Sequence, residues 1–252
     1  MHAIATALLL LLTMSAWAGP PPPLDIMVED AAPPFSYADG SGYANEVVIA
    51  ALRAAGVQFK LRVVPRATCL SSVLEGQVAA CFSMDWLPEY QDLIVLAEPP
   101  LVVLDADLYE HRGRPLPRPE HGCSLPAGTR VAIADGQDYP AETLELARSG
   151  ALFEASPSHE RSLRMLAAGR VDAAMVINNE LLPREQLAAQ VGKELGFVFR
   201  CGRLTASIGF SLKHPRGRWA HESYLAGYKR IEAQGLLAQI RQRWAEKLAA
   251  AR

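Results

Sequence analysis

The chain has 252 residues, half of them apolar, and a formal net charge of −2. That is long enough for one or two domains with a real core. The balance of charge, with no block of Lys or Arg, excludes a nucleic-acid binder.

The first stretch reads as a targeting segment. Ala3 to Met14 is apolar but too short for a membrane span, Ala16-Trp17-Ala18 is a small-x-small cleavage site, and Gly19 to Pro23 cannot extend a helix. Residues 1–18 are therefore expected to be a cleaved signal peptide, with an uncleaved anchor as the alternative, although no Lys or Arg precedes the apolar run. The mature protein is expected to be soluble and periplasmic.

Leu24 to Val28 reads as a buried strand, left through Glu29, Asp30 and a loop at Ala32-Pro33-Pro34-Phe35. Asp39 to Gly42 is a turn. Ala44 to Ala55 has one apolar face and Gly56 as its stop, so it is predicted as a helix. Phe59 to Val64 is a strand, Ala67 to Glu75 a helix ended by Gly76, and Val78 to Phe82 the next strand. This β-α-β-α-β order implies a parallel sheet with right-handed crossovers. The last strand opens into Ser83, Met84, Asp85 and Trp86, a polar and aromatic cluster where ligands of open α/β sheets collect.

Leu101 to Tyr109 is another extended run, and Arg112 to Pro126, rich in proline, is a surface loop. A second α/β series follows. It comprises a strand at Thr129 to Ala134, a turn at Asp135 to Asp138, a helix from Pro140 to Arg148 and a strand at Leu152 to Ala155. Ser156-Pro157 is predicted to cap a helix running to Ala168. Gly169-Arg170-Val171-Asp172-Ala173 then repeats the grammar of Gly76-Gln77-Val78, with the strand reaching Ile177. A helix near Leu187 to Leu195, strands at Phe197 to Phe199 and Ser207 to Leu212, and two amphipathic helices broken at Gly235 complete the chain.

Export makes the four cysteines candidates for disulfides. From Cys69 the helix descends about 10 Å and the following strand climbs back about 10 Å to Cys81, which brings the two thiols level. Cys123 and Cys201 are left to pair with each other. No CxxC occurs, so neither a metal nor a cofactor is expected.

In this order the residues resemble the family-3 bacterial solute-binding proteins, the polar-amino-acid-binding group. Pro34-Phe35-Ser36-Tyr37 looks like the family's "PPFSF" segment, and Gly42-Tyr43 with its helix like "GFDVDLA". The two Gly-x-Val strands match in order, and Ile231, Gly235, Ile240 and Trp244 are similar to the family's terminal pattern. The resemblance implies an α/β clamshell of two lobes, each a mostly parallel sheet flanked by helices, joined by two hinge strands. Lobe one is expected at residues 19–103 with 212–252, and lobe two at 104–211. It further implies a small-molecule ligand between the lobes, an inner-membrane permease or sensor as partner, and a monomer.

The departures from the family bear on the ligand. Tyr90 stands where amino-acid binders carry the Arg that clamps the ligand carboxylate, and Ile177 or Asn178 stands in place of the Asp that takes the ammonium. The lobe-two segment that would receive a carboxylate is Gly136-Gln137-Asp138, where Asp138 repels anions. Ordinary α-amino acids are therefore not expected to bind tightly. The expected ligand residues are Asp30, Phe35, Tyr37, Arg66, Asp85, Trp86, Tyr90, Asp135, Asp138 and Asn178, with Glu29 beside them. This mixture suits a cationic or neutral ligand, with Arg66 as a possible anion site. No enzyme is expected: GxSxG and GxGxxG are absent, and His159-Glu160 and His221-Glu222 lack the second His of a zinc protease. A sensing or partner-binding protein of the same fold is the alternative, and a dehydratase-like enzyme a more distant one.

Overall fold

A computed structural model describes residues 22–181 and 184–250. The expected signal peptide lies outside the described residues. In chain order the elements are β1 (Leu24–Glu29), β2 (Ala31–Ala32), β3 (Ser36–Tyr37), α1 (Tyr43–Ala54), β4 (Phe59–Val64), α2 (Arg66–Glu75), β5 (Ala80–Met84), β6 (Ile94–Leu96) and β7 (Val102–His111). Then come β8 (Arg130–Ala134), α3 (Leu144–Arg148), β9 (Leu152–Ser156), α4 (His159–Ala167), β10 (Ala173–Asn178), α5 (Arg184–Val191), β11 (Leu195–Ser211), α6 (Gly217–Ala233) and α7 (Leu236–Ala250).

One sheet runs through the molecule in the order β4-β1-β5-β11-β7-β10-β8-β9, with β6 also on β11. At one end β4, β1 and β5 are parallel, and at the other β10, β8 and β9 are parallel. The antiparallel pair β7 and β11 joins them. Each parallel trio is the β-α-β-α-β product read from the sequence, with helices as crossovers: β1 and β10 are buried on both faces, while the outer strands β4 and β9 are partly exposed. This is a two-lobe α/β clamshell with two connecting strands.

The cores follow the lobes. In lobe one, Ile26, Val28, Val47, Val48, Phe82 and Phe210 are buried under α1, α6 and α7, and Cys69, Val73, Cys81 and Met84 pack under α2 on the other side. In lobe two, Leu108, Val131, Leu146 and Met175 form one face, and Leu163, Leu166, Ala174 and Val176 the other. Gly227 sets the closeness of α1 and α6, since a Cβ there would meet the Ala51 carbonyl at 1.8 Å. The chain leaves α2 through Gly76 at φ 81°, a left-handed cap that favours glycine. The disulfides are Cys69–Cys81 and Cys123–Cys201, the pairs expected.

Four local expectations are corrected. The strands read at Phe197 to Phe199 and Ser207 to Leu212 are one 17-residue strand, β11. Bulges at Phe197/Phe199 and Arg200/Gly202 break its alternation without ending it. The third strand of lobe one starts at Ala80 rather than Val78. The helix expected from Pro140 is a 3-10 turn, Ala141–Thr143, followed by the five-residue α3. Ser158, not Ser156, caps α4: its hydroxyl accepts the Arg161 N–H, while Ser156 is buried in β9 against the Ser162 hydroxyl.

At the start of α4 the His159 ring is largely enclosed and its Nδ1 is buried without a partner. Burial pushes its pKa down to about 4 from 6.5. The fold holds this ring neutral while the unfolded chain protonates it, so the contribution is complete above pH 6.5 and is lost as pH falls toward 4. Between pH 7 and 4.5 the wild type is expected to lose about 2 kcal/mol more stability than His159→Leu. Urea midpoints of both proteins at the two pH values check this, and parallel loss in both would contradict it.

Candidate functional site

The C-terminal ends of β1 and β5 lie side by side, because Ile26 pairs with Ala80 and Val28 with Phe82. This register brings the Glu29 carboxylate close to Ser83. Burial raises the Glu29 pKa. Asp30 and Asp138 add to the rise, and Ser83 and Arg66 oppose it. Asp138 belongs to the turn after β8 in the other lobe.

Beyond β5 the chain turns through Asp85 and Trp86 into a 3-10 turn at Pro88–Tyr90. Arg66, Ser83, Asp85 and Tyr90 line a small pocket of about 20 Å³ with Leu70 and Met84. Its size admits a water-sized group only, so this pocket is one wall of a site rather than a whole one. Arg66, at the first position of α2, bridges Asp85 at 3.7 Å. Trp86 is 59 % exposed. Tyr90 is partly buried against the cluster of Cys69, Cys81 and Met84. Burial raises its pKa, with Glu89 and Asp85 adding to the effect.

The facing wall is the turn Asp135 to Asp138, exposed at all four residues. The Tyr139 hydroxyl fixes it by accepting the Ala134 N–H at 2.9 Å, while the Asp135 N–H reaches the Ser156 carbonyl at 2.8 Å. Burial pushes the Tyr139 pKa to about 12, so the hydroxyl stays protonated. Across the two walls, one guanidinium that is already bridged to Asp85 stands among Glu29, Asp30, Asp85, Asp135 and Asp138. Such a field disfavours anions and favours a cation or a neutral donor.

Seven of the expected ligand residues, Asp30, Arg66, Asp85, Trp86, Tyr90, Asp135 and Asp138, lie at the strand ends that form these walls. Three sit elsewhere. Phe35 is buried in the lobe-one core, edge-on to Tyr43. Tyr37 stacks on Trp244 of α7. Asn178 is buried at the end of β10, where its Nδ2 donates to Asp107 at 2.9 Å and to the Tyr109 hydroxyl at 3.1 Å. Ser83 is the wall residue that the expected ligand set omits. Its signal was its position directly after a buried apolar strand.

A second feature follows the connecting strands. Asp107, fully buried, takes two hydrogen bonds from Arg184, at 2.7 and 3.0 Å, and sits 3.6 Å from Arg200. Arg200 continues to Asp105 at 2.6 Å, and Arg203 reaches Asp105 at 2.7 Å. This ladder of alternating charge lies across β7 and β11 and lines an open cavity of about 340 Å³ with Asn178 and Glu180. The two cavities share no lining residue. Among the described residues no three His, Cys, Asp or Glu side chains are grouped to hold a metal, and no helix is long and apolar enough to cross a membrane.

No family model matches the chain, and no curated protein matches it in sequence. Solved structures do match. The L-cystine solute receptor of Neisseria gonorrhoeae in its unliganded open conformation shares 17 % identity over 88 % of this chain and 92 % of its own, with a TM-score of 0.61. Substrate-binding domain 2 of Lactococcus lactis GlnP, also in an open conformation, shares 13 % identity over 88 % of this chain and 95 % of its own, at 0.58. A histidine kinase sensor domain with similarity to periplasmic binding proteins shares 18 % identity over 88 % of this chain and 95 % of its own, at 0.53. The chain has the type II periplasmic-binding-protein fold, as a sequence-divergent example of it. The matched chains are substrate-binding, receptor and sensor domains.

Proposed function

We propose that this protein is an exported, periplasmic solute-binding protein that closes its two lobes on a small polar ligand, cationic or neutral rather than an ordinary α-amino acid. The lobes are residues 19–103 with 212–252 and residues 104–211. Glu29, Asp30, Arg66, Ser83, Asp85, Trp86 and Tyr90 receive the ligand from lobe one, and Asp135 and Asp138 from lobe two. The single observation that carries this reading is the charge of the walls: five carboxylates and one guanidinium that is itself bridged to Asp85. Trp86 adds an exposed ring face on which a cation can settle. The protein acts as a monomer, with an inner-membrane permease as its partner. It binds and does not catalyse.

A second reading has the same site report to a sensor rather than a permease, and the likeness to a histidine kinase sensor domain favours it. A screen of melting temperature against amino acids, polyamines, betaines, sugars and carboxylates tests the ligand. A compound at a hundredfold excess over its Kd should add about 2.7 kcal/mol. Amines or quaternary ammonium compounds are expected to give the shift. A clear shift with a common α-amino acid alone would overturn the assignment of Tyr90. Pull-down of a stable protein partner favours the sensor reading.

A further inference from the structure

Arg66 is the first residue of α2, and its guanidinium meets the Asp85 carboxylate at 3.7 Å. The two side chains are 59 % and 51 % exposed, so water screens the pair and it contributes little to the fold. The place is a poor one for a cation. A helix begins at the positive end of its dipole. Pro65 gives α2 no side-chain cap, and its first turn holds no acid. Asp85, just past the end of β5, supplies the opposite charge from outside the helix. Both residues line the small cavity of the lobe-one wall with Ser83 and Tyr90. With Arg66 seated there, that cavity holds about 20 Å³.

Trp86 follows Asp85 directly, and its ring is 59 % exposed. The other two indoles of the described residues each carry a cation of the chain itself. Arg216 stands 4.9 Å from the centre of the Trp219 ring, and Lys247 4.4 Å from that of Trp244. Among the described residues no such cation covers Trp86. A carboxylate held by a weakly seated guanidinium thus stands next to an uncovered aromatic face, the two groups that an organic cation binds best.

We propose that Arg66 is a placeholder, whose guanidinium occupies the Asp85 carboxylate until the cationic group of a ligand displaces it and settles against Asp85 and the Trp86 ring. The placeholder rests on the reading of the walls as a cation site, and it names the ligand class as an organic ammonium or guanidinium compound. Arg66 takes part in the site by giving way. It also sets selectivity. An anion finds Arg66 already neutralised, and a cation has to outcompete a guanidinium held at the unfavourable end of a helix.

Putrescine and tetramethylammonium serve as probes, titrated by calorimetry into the wild type, Arg66→Gln, Asp85→Asn and the double variant. Arg66→Gln takes an exposed cation from the first turn of a helix, so the fold is not at risk. At least one probe is expected to bind Arg66→Gln about fivefold tighter than the wild type, the upper worth of an exposed ion pair. Asp85→Asn should bind weakly, and adding Arg66→Gln to it should bring no gain, because the two residues form one contact. Weaker binding in Arg66→Gln would make Arg66 a direct ligand contact and overturn the placeholder, as would equal binding. A gain that persists beside Asp85→Asn would reduce Arg66 to repulsion at a distance and overturn it too. So would a failure of both probes to bind either the wild type or Arg66→Gln. The melting screen judges the binding reading separately: a neutral compound that shifts the wild type and Arg66→Gln alike upholds the site and sinks the placeholder.

Discussion

Asp107→Ala is expected to cost the protein about 3 kcal/mol of stability, read as a drop in the urea midpoint with an unchanged slope. Asp107 is 0 % exposed and stands at the centre of the ladder. Its two oxygens hold Arg184 bidentately and take the Asn178 amide. Truncation leaves the Arg184 guanidinium over the Phe197 ring without its carboxylate, and strips the Asn178 Nδ2 of one acceptor. The loss is chiefly that of the charge-assisted hydrogen bonds that Asp107 accepts in a fully buried place. Asp105→Ala should cost less, because Asp105 and its partners Arg200 and Arg203 are partly exposed and screened. Equal losses for the two variants would show that burial does not decide the strength of this ladder.

Opening the second disulfide should cost more. Cys123 and Cys201 are both buried and close a loop with a sequence separation of 78 residues. Chain entropy assigns such a loop about 4.5 kcal/mol, against about 3 kcal/mol for the short Cys69–Cys81 loop. Cys123→Ser with Cys201→Ser is therefore expected to lower the melting temperature further than Cys69→Ser with Cys81→Ser. Calorimetry of the two double variants checks the order. The reverse order would mean that packing around α2 and β5, rather than loop length, governs the bridges.

Much of the scaffold was legible because its signals are local. Phe59–Val64 is bounded by Gly56 and Pro65, and Leu24–Glu29 by prolines and a loop, so both strands were read to within a residue. Gly76 and Gly169, both at positive φ, mark helix exits in the two lobes, and their shared grammar disclosed two similar units. The bridge at Cys69 and Cys81 followed from the rise of a helix against that of a strand. β11 was less legible, because its middle is polar: Arg200, Arg203 and Thr205 belong to the connection between lobes, where a charge ladder replaces the usual alternation.

The candidate site is a reading of position along the chain. Asp85, Trp86, Tyr90, Asp135 and Asp138 follow strand ends, and position alone marked them. Phe35 and Tyr37 follow a strand end too, but α1 and α7 offer them aromatic partners from distant parts of the chain. No local pattern distinguishes the two cases. Asn178 is the clearest instance. Its place past the second repeated strand suggested a ligand contact; its amide donates to Asp107 and Tyr109, some 70 residues earlier, and it also lines the larger cavity.

The central claim is that a ligand is enclosed between the walls at Ser83 to Tyr90 and Asp135 to Asp138. Small-angle X-ray scattering of the protein with and without the strongest hit of the melting screen tests it most directly. The account predicts a smaller radius of gyration with that compound in the wild type, and no change in a variant carrying Asp85→Asn and Trp86→Ala. Saturating binding with an unchanged radius, or full compaction in the variant, would contradict it.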